Sequence, residues 1–260
     1  MTEILIPVAV LGAIGLVFGI LLGVAAKIFA VSKDERIEKI EEALPGANCG
    51  GCGFAGCSAY ASSIVNDKAP ITLCSAGGQK VADEIALIMG MKAEKMEKCS
   101  ARVFCKGATD KANIKLEYRG AKDCFAANRI AGGPKECAYG CIGLGSCVSV
   151  CKFDAISVVD GVAVVDPEKC TACGACVKKC PKNIIRIVPV AKHHAVLCSN
   201  QDKGPIAKNL CKESCLGCKV CEKNCPAEAI KIENFLARID YDKCIDCGIC
   251  SEKCPKKIII

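Results

Sequence analysis

Apolar positions along the chain fall into three patterns. From Ile4 to Ala26 they run for 23 residues, ILIPVAVLGAIGLVFGILLGVAA, without a single charge. As a helix at about 1.5 Å per residue the run reaches roughly 34 Å, enough to cross a hydrocarbon core of about 30 Å. Pro7 falls in its first turn, where a missing N–H costs least. The spacing then turns amphipathic. Ser32 and Glu35 read as a capping box, opening a helix through Ile37, Ile40 and Leu44 that Pro45-Gly46 stops. SAYASSIV after Cys57 reads as another helix. Further on, the runs ISVV, AVVD, IKIE and ARID predict short strands.

The second half repeats itself with a period of 74 residues, FDAISVVDGVAVVDPEKC matching AEAIKIENFLARIDYDKC. Cys137, Cys141, Cys147, Cys151, Cys170, Cys173, Cys176 and Cys180 recur as Cys211, Cys215, Cys221, Cys225, Cys244, Cys247, Cys250 and Cys254. The expected fold is α+β. An N-terminal transmembrane helix leads into a small helical four-cysteine domain, then two bacterial ferredoxin-like two-cluster modules. The expected divisions are 1–31 (anchor), 32–98 (four-cysteine domain), 99–132 (connector), 133–190 (module 1), 191–211 (connector) and 212–260 (module 2).

Cysteine makes up 25 of the 260 residues, an odd number, and much of it lies in C-x2-C runs. Adjacent thiols at that spacing converge on one point, which suits a metal centre better than a disulfide framework. Trp is absent and aromatics are 4% of the chain, so inorganic clusters would replace part of an ordinary core. The formal charge of +7 counts cysteine as neutral. Five [4Fe–4S] clusters at about −2 each would bring the total near −3, so nucleic acid is not an expected partner.

Cys49, Cys52, Cys57 and Cys74 form one four-thiol set, with the glycines of NCGGCGFAGC letting the backbone wrap closely. The bacterial signature C-x2-C-x2-C-x3-C-P places its fourth cysteine on the other cluster. Cys170, Cys173 and Cys176 should therefore pair with Cys151. In the second copy Cys215, Cys218 and Cys221 should pair with Cys254, and Cys244, Cys247 and Cys250 with Cys225. The first copy departs from the pattern: Leu144 stands where the second has Cys218, and Lys152 replaces the usual proline. Its remaining cluster is expected on Cys137, Cys141, Cys147 and Cys180.

That makes five clusters. Cys99, Cys105, Cys124, Cys198 and Cys211 are left over, and two readings stay open. They are buried or free thiols, or Cys105, Cys124, Cys198 and Cys211 hold a sixth cluster between the copies. His193 and His194 read as solvent-exposed polar residues.

No Lys or Arg precedes the apolar run, while Lys27, Lys33, Arg36 and Lys39 follow it. This bias predicts a single-pass anchor in the cytoplasmic membrane with the cysteine-rich body on the cytoplasmic side, where thiolates stay reduced. Gly15, Gly19 and Gly23 form a stripe that would let a helix of another membrane protein approach closely. In the last module Lys253, Lys256 and Lys257, with Lys219, Lys223 and Lys243, predict a docking surface for an acidic protein partner. The basic stretch 102–115 is the second candidate for it.

The NCGGCGFAGC segment and the runs YRGAKDC, GGPKECAYGCIGLGSC and CSNQDKGPIAKNLCKESCLGCK resemble the iron–sulfur B subunit of the Rnf electron-transport complex across essentially the whole chain. The four-cysteine domain, about 36–95, is similar also to one in corrinoid iron–sulfur proteins. The resemblance implies ferredoxin as donor, NAD as final acceptor through a partner polypeptide, and coupled Na⁺ or H⁺ pumping. The chain itself shows no G-x-G-x-x-G after a strand, no P-loop and no triad, hence no catalytic residue of its own. Two other functions remain in view: a donor that reduces a redox-sensing transcription factor, and a zinc scaffold or metal-storage protein.

Overall fold

The computed structural model describes residues 2–28 and 34–260. Helix α1 (Thr2–Ile28) carries the apolar run. Leu11, Leu16, Phe18 and Leu22 on it are exposed. Among the described residues no helix is long and apolar enough to cross a membrane, and several α1 side chains are not among them, so the anchor rests on the sequence.

The four-cysteine domain is three helices: α2 (Glu35–Ala43), α3 (Cys57–Asn66) and α4 (Gly78–Met89). Asp34 caps α2, its carboxylate accepting the Arg36 N–H at 2.9 Å. Ser32, expected in that capping box, lies outside the described residues. The helices bury Ile40, Tyr60, Ile64, Val81 and Ile85 in one core. α4 ends at Gly90, whose φ of +66° is left-handed backbone that glycine adopts without steric cost.

Strand β1 (Cys99–Val103) runs antiparallel to β4 (Ile185–Pro189), so the connector before module 1 supplies a strand to it. Within module 1, β2 (Ile156–Val159) and β3 (Val162–Val165) form a hairpin. In module 2, β5 (Ile230–Glu233) and β6 (Leu236–Ile239) repeat it in the same register. The second connector mirrors the first. Ala195 and Ile260 exchange both backbone hydrogen bonds, at 2.7 and 3.1 Å, beside the Val196–Ile259 bridge.

Each ferredoxin core is small. Ile156, Val162, Ile184 and Ile185 pack with Cys141, Cys147 and Cys176 in module 1. Val196, Ile230, Leu236 and Ile258 pack with Cys198, Cys215, Cys221 and Cys250 in module 2. Two-stranded sheets are marginal by themselves, so a group held by these cysteines would support the fold as well.

Candidate iron–sulfur centres

In the N-terminal domain, Cys49, Cys52, Cys57 and Cys74 line one cavity of about 350 Å³. Asn48 fixes the loop, its side-chain oxygen accepting the Cys57 N–H at 2.8 Å at the start of α3. The buried Tyr60 hydroxyl donates to the Pro70 carbonyl at 2.6 Å and accepts the Leu73 N–H at 3.2 Å, which brings Cys74 back to the other three. Burial raises the Cys74 thiol, and Cys57, Cys49 and Cys52 add to the shift.

In module 2, Cys215, Cys218, Cys221 and Cys254 line a cavity of about 350 Å³. Burial pushes the Cys221 thiol up to about 12, with Cys215, Cys218 and Cys254 reinforcing it. Cys250 faces Cys244 and Cys247, and Cys225 packs on the same core. In module 1, burial takes Cys176 up to about 11, and Cys170, Cys173 and Cys151 contribute in turn. The short helices α6 (Ala175–Lys178), α8 (Val220–Lys223) and α9 (Ile249–Lys253) each carry the third cysteine of a motif.

The first half of copy one groups its thiols differently from the sequence expectation. The cavity of about 390 Å³ there is lined by Cys124, Cys141, Cys147 and Cys180. Cys124, not Cys137, takes the place left by Leu144. The reason is a side-chain network. Cys124 opens α5 (Cys124–Arg129), whose cap Asp123 accepts the Ala126 N–H at 2.8 Å. The Cys124 N–H donates to Ser146 Oγ at 2.7 Å, and Ser146 donates to Asp123 at 3.0 Å. This network ties Cys124 to the residue preceding Cys147. Burial lifts the Cys147 thiol to about 12, followed by Cys141, Cys124 and Cys180.

Cys137 joins the other leftover thiols. It lines a cavity of about 340 Å³ with Cys105, Cys198 and Cys211. The buried Asn200 donates its side-chain N–H to Cys137 Sγ at 3.4 Å. Gly107 lies close against this set: a Cβ there would meet Cys211 Sγ at 3.3 Å and Cys105 Sγ at 3.6 Å. The expected sixth set therefore has Cys137 in place of Cys124. Cys99, on β1, joins none of these groups. Asn48, Asp123, Ser146 and Asn200 escaped the sequence reading, because lone Asn, Asp and Ser carry no spacing signal.

Four-thiol donor sets suit iron–sulfur chemistry, and the backbone is arranged for it. The N–H groups of Ala101, Ala155, Ala229 and Asp246 donate to Cys170, Cys151, Cys225 and Cys244 sulfurs at 3.3–3.4 Å. Such bonds favour thiolate over thiol. Mutual repulsion among four thiolates opposes ionisation until a cationic core joins them.

His193 is exposed, but its ring Nδ1 pairs with Asp246 at 2.7 Å. His194 is half-buried rather than solvated as expected. Lys253 and Lys257 are exposed and Lys256 is half-buried.

The fold and these thiol sets define an iron–sulfur protein built on ferredoxin modules. A 4Fe-4S dicluster family model matches residues 214–259, a 4Fe-4S binding domain model 163–186, and an Fe-S cluster model 44–76. The B subunit of the Na⁺-translocating ferredoxin:NAD⁺ oxidoreductase complex of Acetobacterium woodii is 51% identical over 94% of this chain and 73% of its own. The B subunit of the ion-translocating oxidoreductase complex of Methanosarcina acetivorans is 41% identical over 94% and 93%. The B subunit of the proton-translocating ferredoxin:NAD⁺ oxidoreductase complex of Clostridium ljungdahlii is 42% identical over 92% and 85%. The chain belongs to the family of iron–sulfur B subunits of the ion-translocating (Rnf) ferredoxin:NAD⁺ oxidoreductase complexes.

Proposed function

We propose that this chain is the electron relay of such a membrane complex, receiving electrons from reduced ferredoxin and passing them towards NAD⁺ on another polypeptide, with Na⁺ or H⁺ translocation coupled to the transfer. One observation carries the reading: neighbouring thiol sets come into direct contact at three junctions. The N–H of Cys215 donates to Cys198 Sγ, and the N–H of Cys141 to Cys105 Sγ, each at 3.4 Å. At the far end Gly51 touches Cys173 so closely that a Cβ would stand 3.0 Å from its Cα.

The ligand sets in this reading are six. Cys49, Cys52, Cys57 and Cys74 serve the N-terminal domain. Cys151, Cys170, Cys173 and Cys176, and Cys124, Cys141, Cys147 and Cys180, serve module 1. Cys215, Cys218, Cys221 and Cys254, and Cys225, Cys244, Cys247 and Cys250, serve module 2. Cys105, Cys137, Cys198 and Cys211 bridge the modules. A [4Fe–4S] cluster in each supplies one-electron chemistry at low potential, with thiolate ligands throughout.

Entry at module 2 is favoured because Cys218 and Cys247 are the two exposed cysteines among the described residues. Lys253, Lys256 and Lys257 stand close to Cys247 in the chain, the right sign for an acidic donor. The apolar run Ile4–Ala26 anchors the other end, with its glycine stripe open to a neighbouring membrane helix: among the described residues, nothing beyond the helix's own nearby backbone lies within 4 Å of a Cβ built at Gly15, Gly19 or Gly23. Cys198→Ser tests the relay. Rapid mixing with reduced ferredoxin should still reduce module 2 at the native rate, while electrons reach the N-terminal domain at least about tenfold more slowly. Equal arrival in both proteins contradicts the bridging role.

A further inference from the structure

Lys135 is 5% exposed. Its ammonium donates to the carbonyl of Gly107, in the first connector, at 2.7 Å and to that of Gly161, in the β2–β3 turn, at 2.8 Å. Among the described residues no carboxylate pairs with it. Lysine is rarely buried without a counter-charge, because desolvating an ammonium is costly and neutral carbonyls return only part of that cost. The missing negative charge must come from what surrounds it. Lys135 lines the same cavity as Cys105, Cys137, Cys198 and Cys211.

We propose that Lys135 is the fixed positive charge that sets the reduction potential at the bridging set of Cys105, Cys137, Cys198 and Cys211. The proposal rests on reading those four cysteines as a cluster site. Reduction there adds one electron, makes and breaks no bond, and leaves the chain's protons where they are. The reduced state is one charge more negative, so a buried cation beside it is attracted more strongly to that state and raises the potential. Interior charges are poorly screened, and the two carbonyls hold the ammonium in place. Lys106 lines the same cavity but pairs with Glu213 at 3.4 Å, and its side chain is 37% exposed. Its charge is already offset and solvated, which makes it the internal control.

Redox titration of the full anaerobic chain, followed by electron paramagnetic resonance, tests this. The signal missing from Cys198→Ser identifies the bridging centre; if that variant loses no iron and no signal, the reading beneath the proposal fails first. With the centre identified, Lys135→Gln should become harder to reduce, its reduced-to-oxidised ratio falling at least about tenfold at fixed potential, about 59 mV for one electron. The other centres and Lys106→Gln should shift far less, and Lys135→Arg should stay near the native potential. An unshifted centre in Lys135→Gln with full iron content overturns the proposal. Should Lys135→Gln lose those irons, Lys135→Arg decides. Native iron and potential in Lys135→Arg support a need for charge; loss of the irons there too makes Lys135 a packing residue and overturns it.

Discussion

The backbone N–H of Cys215 donates to Cys198 Sγ at 3.4 Å, joining a thiol set of module 2 to the set between the modules. The Cys141 N–H makes the matching bond to Cys105 Sγ from module 1, also at 3.4 Å. Amide donors to cluster sulfurs are among the factors that set potential. Here each donor belongs to a residue that is itself in the neighbouring set, so each module meets the bridging set through ligand backbone.

The exchange of Cys124 and Cys137 gives the first prediction. Cys124→Ser should disturb the centre shared with Cys141, Cys147 and Cys180. Cys137→Ser should disturb the one shared with Cys105, Cys198 and Cys211. Each variant, compared spectroscopically with Cys180→Ser and Cys198→Ser, should match one of them. The reverse matching restores the assignment expected from spacing alone.

Ser146→Ala leaves the buried Cys124 N–H without its acceptor at 2.7 Å and Asp123 without its donor. An unsatisfied buried N–H costs about 1–3 kcal/mol. Denaturant midpoints should fall accordingly, and the centre on Cys124, Cys141, Cys147 and Cys180 should be the first lost on mild chelation. A stability equal to that of the native protein argues that the network does not hold Cys124.

Iron removal should unfold the chain unevenly. The N-terminal domain keeps an aliphatic and aromatic core of Ile40, Tyr60, Ile64 and Ile85. Both ferredoxin modules lean on cysteines for theirs. After chelation, hydrogen-exchange protection should collapse over 156–165 and 230–239 and persist over 57–66 and 78–89. Uniform loss or uniform retention contradicts this ordering.

Charge reversal of Lys253, Lys256 and Lys257 to Glu should slow reduction by ferredoxin about tenfold or more at low salt and flatten its ionic-strength dependence. Iron content should not change. If rate and salt response are native with all clusters in place, electrons enter elsewhere, and the basic stretch 102–115 is the next surface to reverse.

Much of this was legible in the sequence because ligand spacing fixes short elements. The four expected strands lie within one residue of β2, β3, β5 and β6, since each runs between fixed cysteines. What stayed hidden depends on partners far along the chain. β1 reads as connector because CSARV has a weak pattern and gains strand character only from β4, more than eighty residues later. Cys124 was separated from its set for the same reason: the Asp123–Ser146 bond that brings it in spans 23 positions and leaves no motif. Asp34 caps α2 with a carboxylate beside Arg36, a local choice that the capping-box pattern at Ser32 obscured.

Iron and acid-labile sulfide per chain, measured on anaerobically purified and fully reconstituted protein, test the central claim most directly. Six four-thiol sets predict about 24 irons with an equal amount of sulfide. About 20 would remove the bridging set alone, and with it the continuous relay. Fewer than about 16, or zinc without sulfide, would contradict the account of this chain as an electron carrier assembled from cubane clusters.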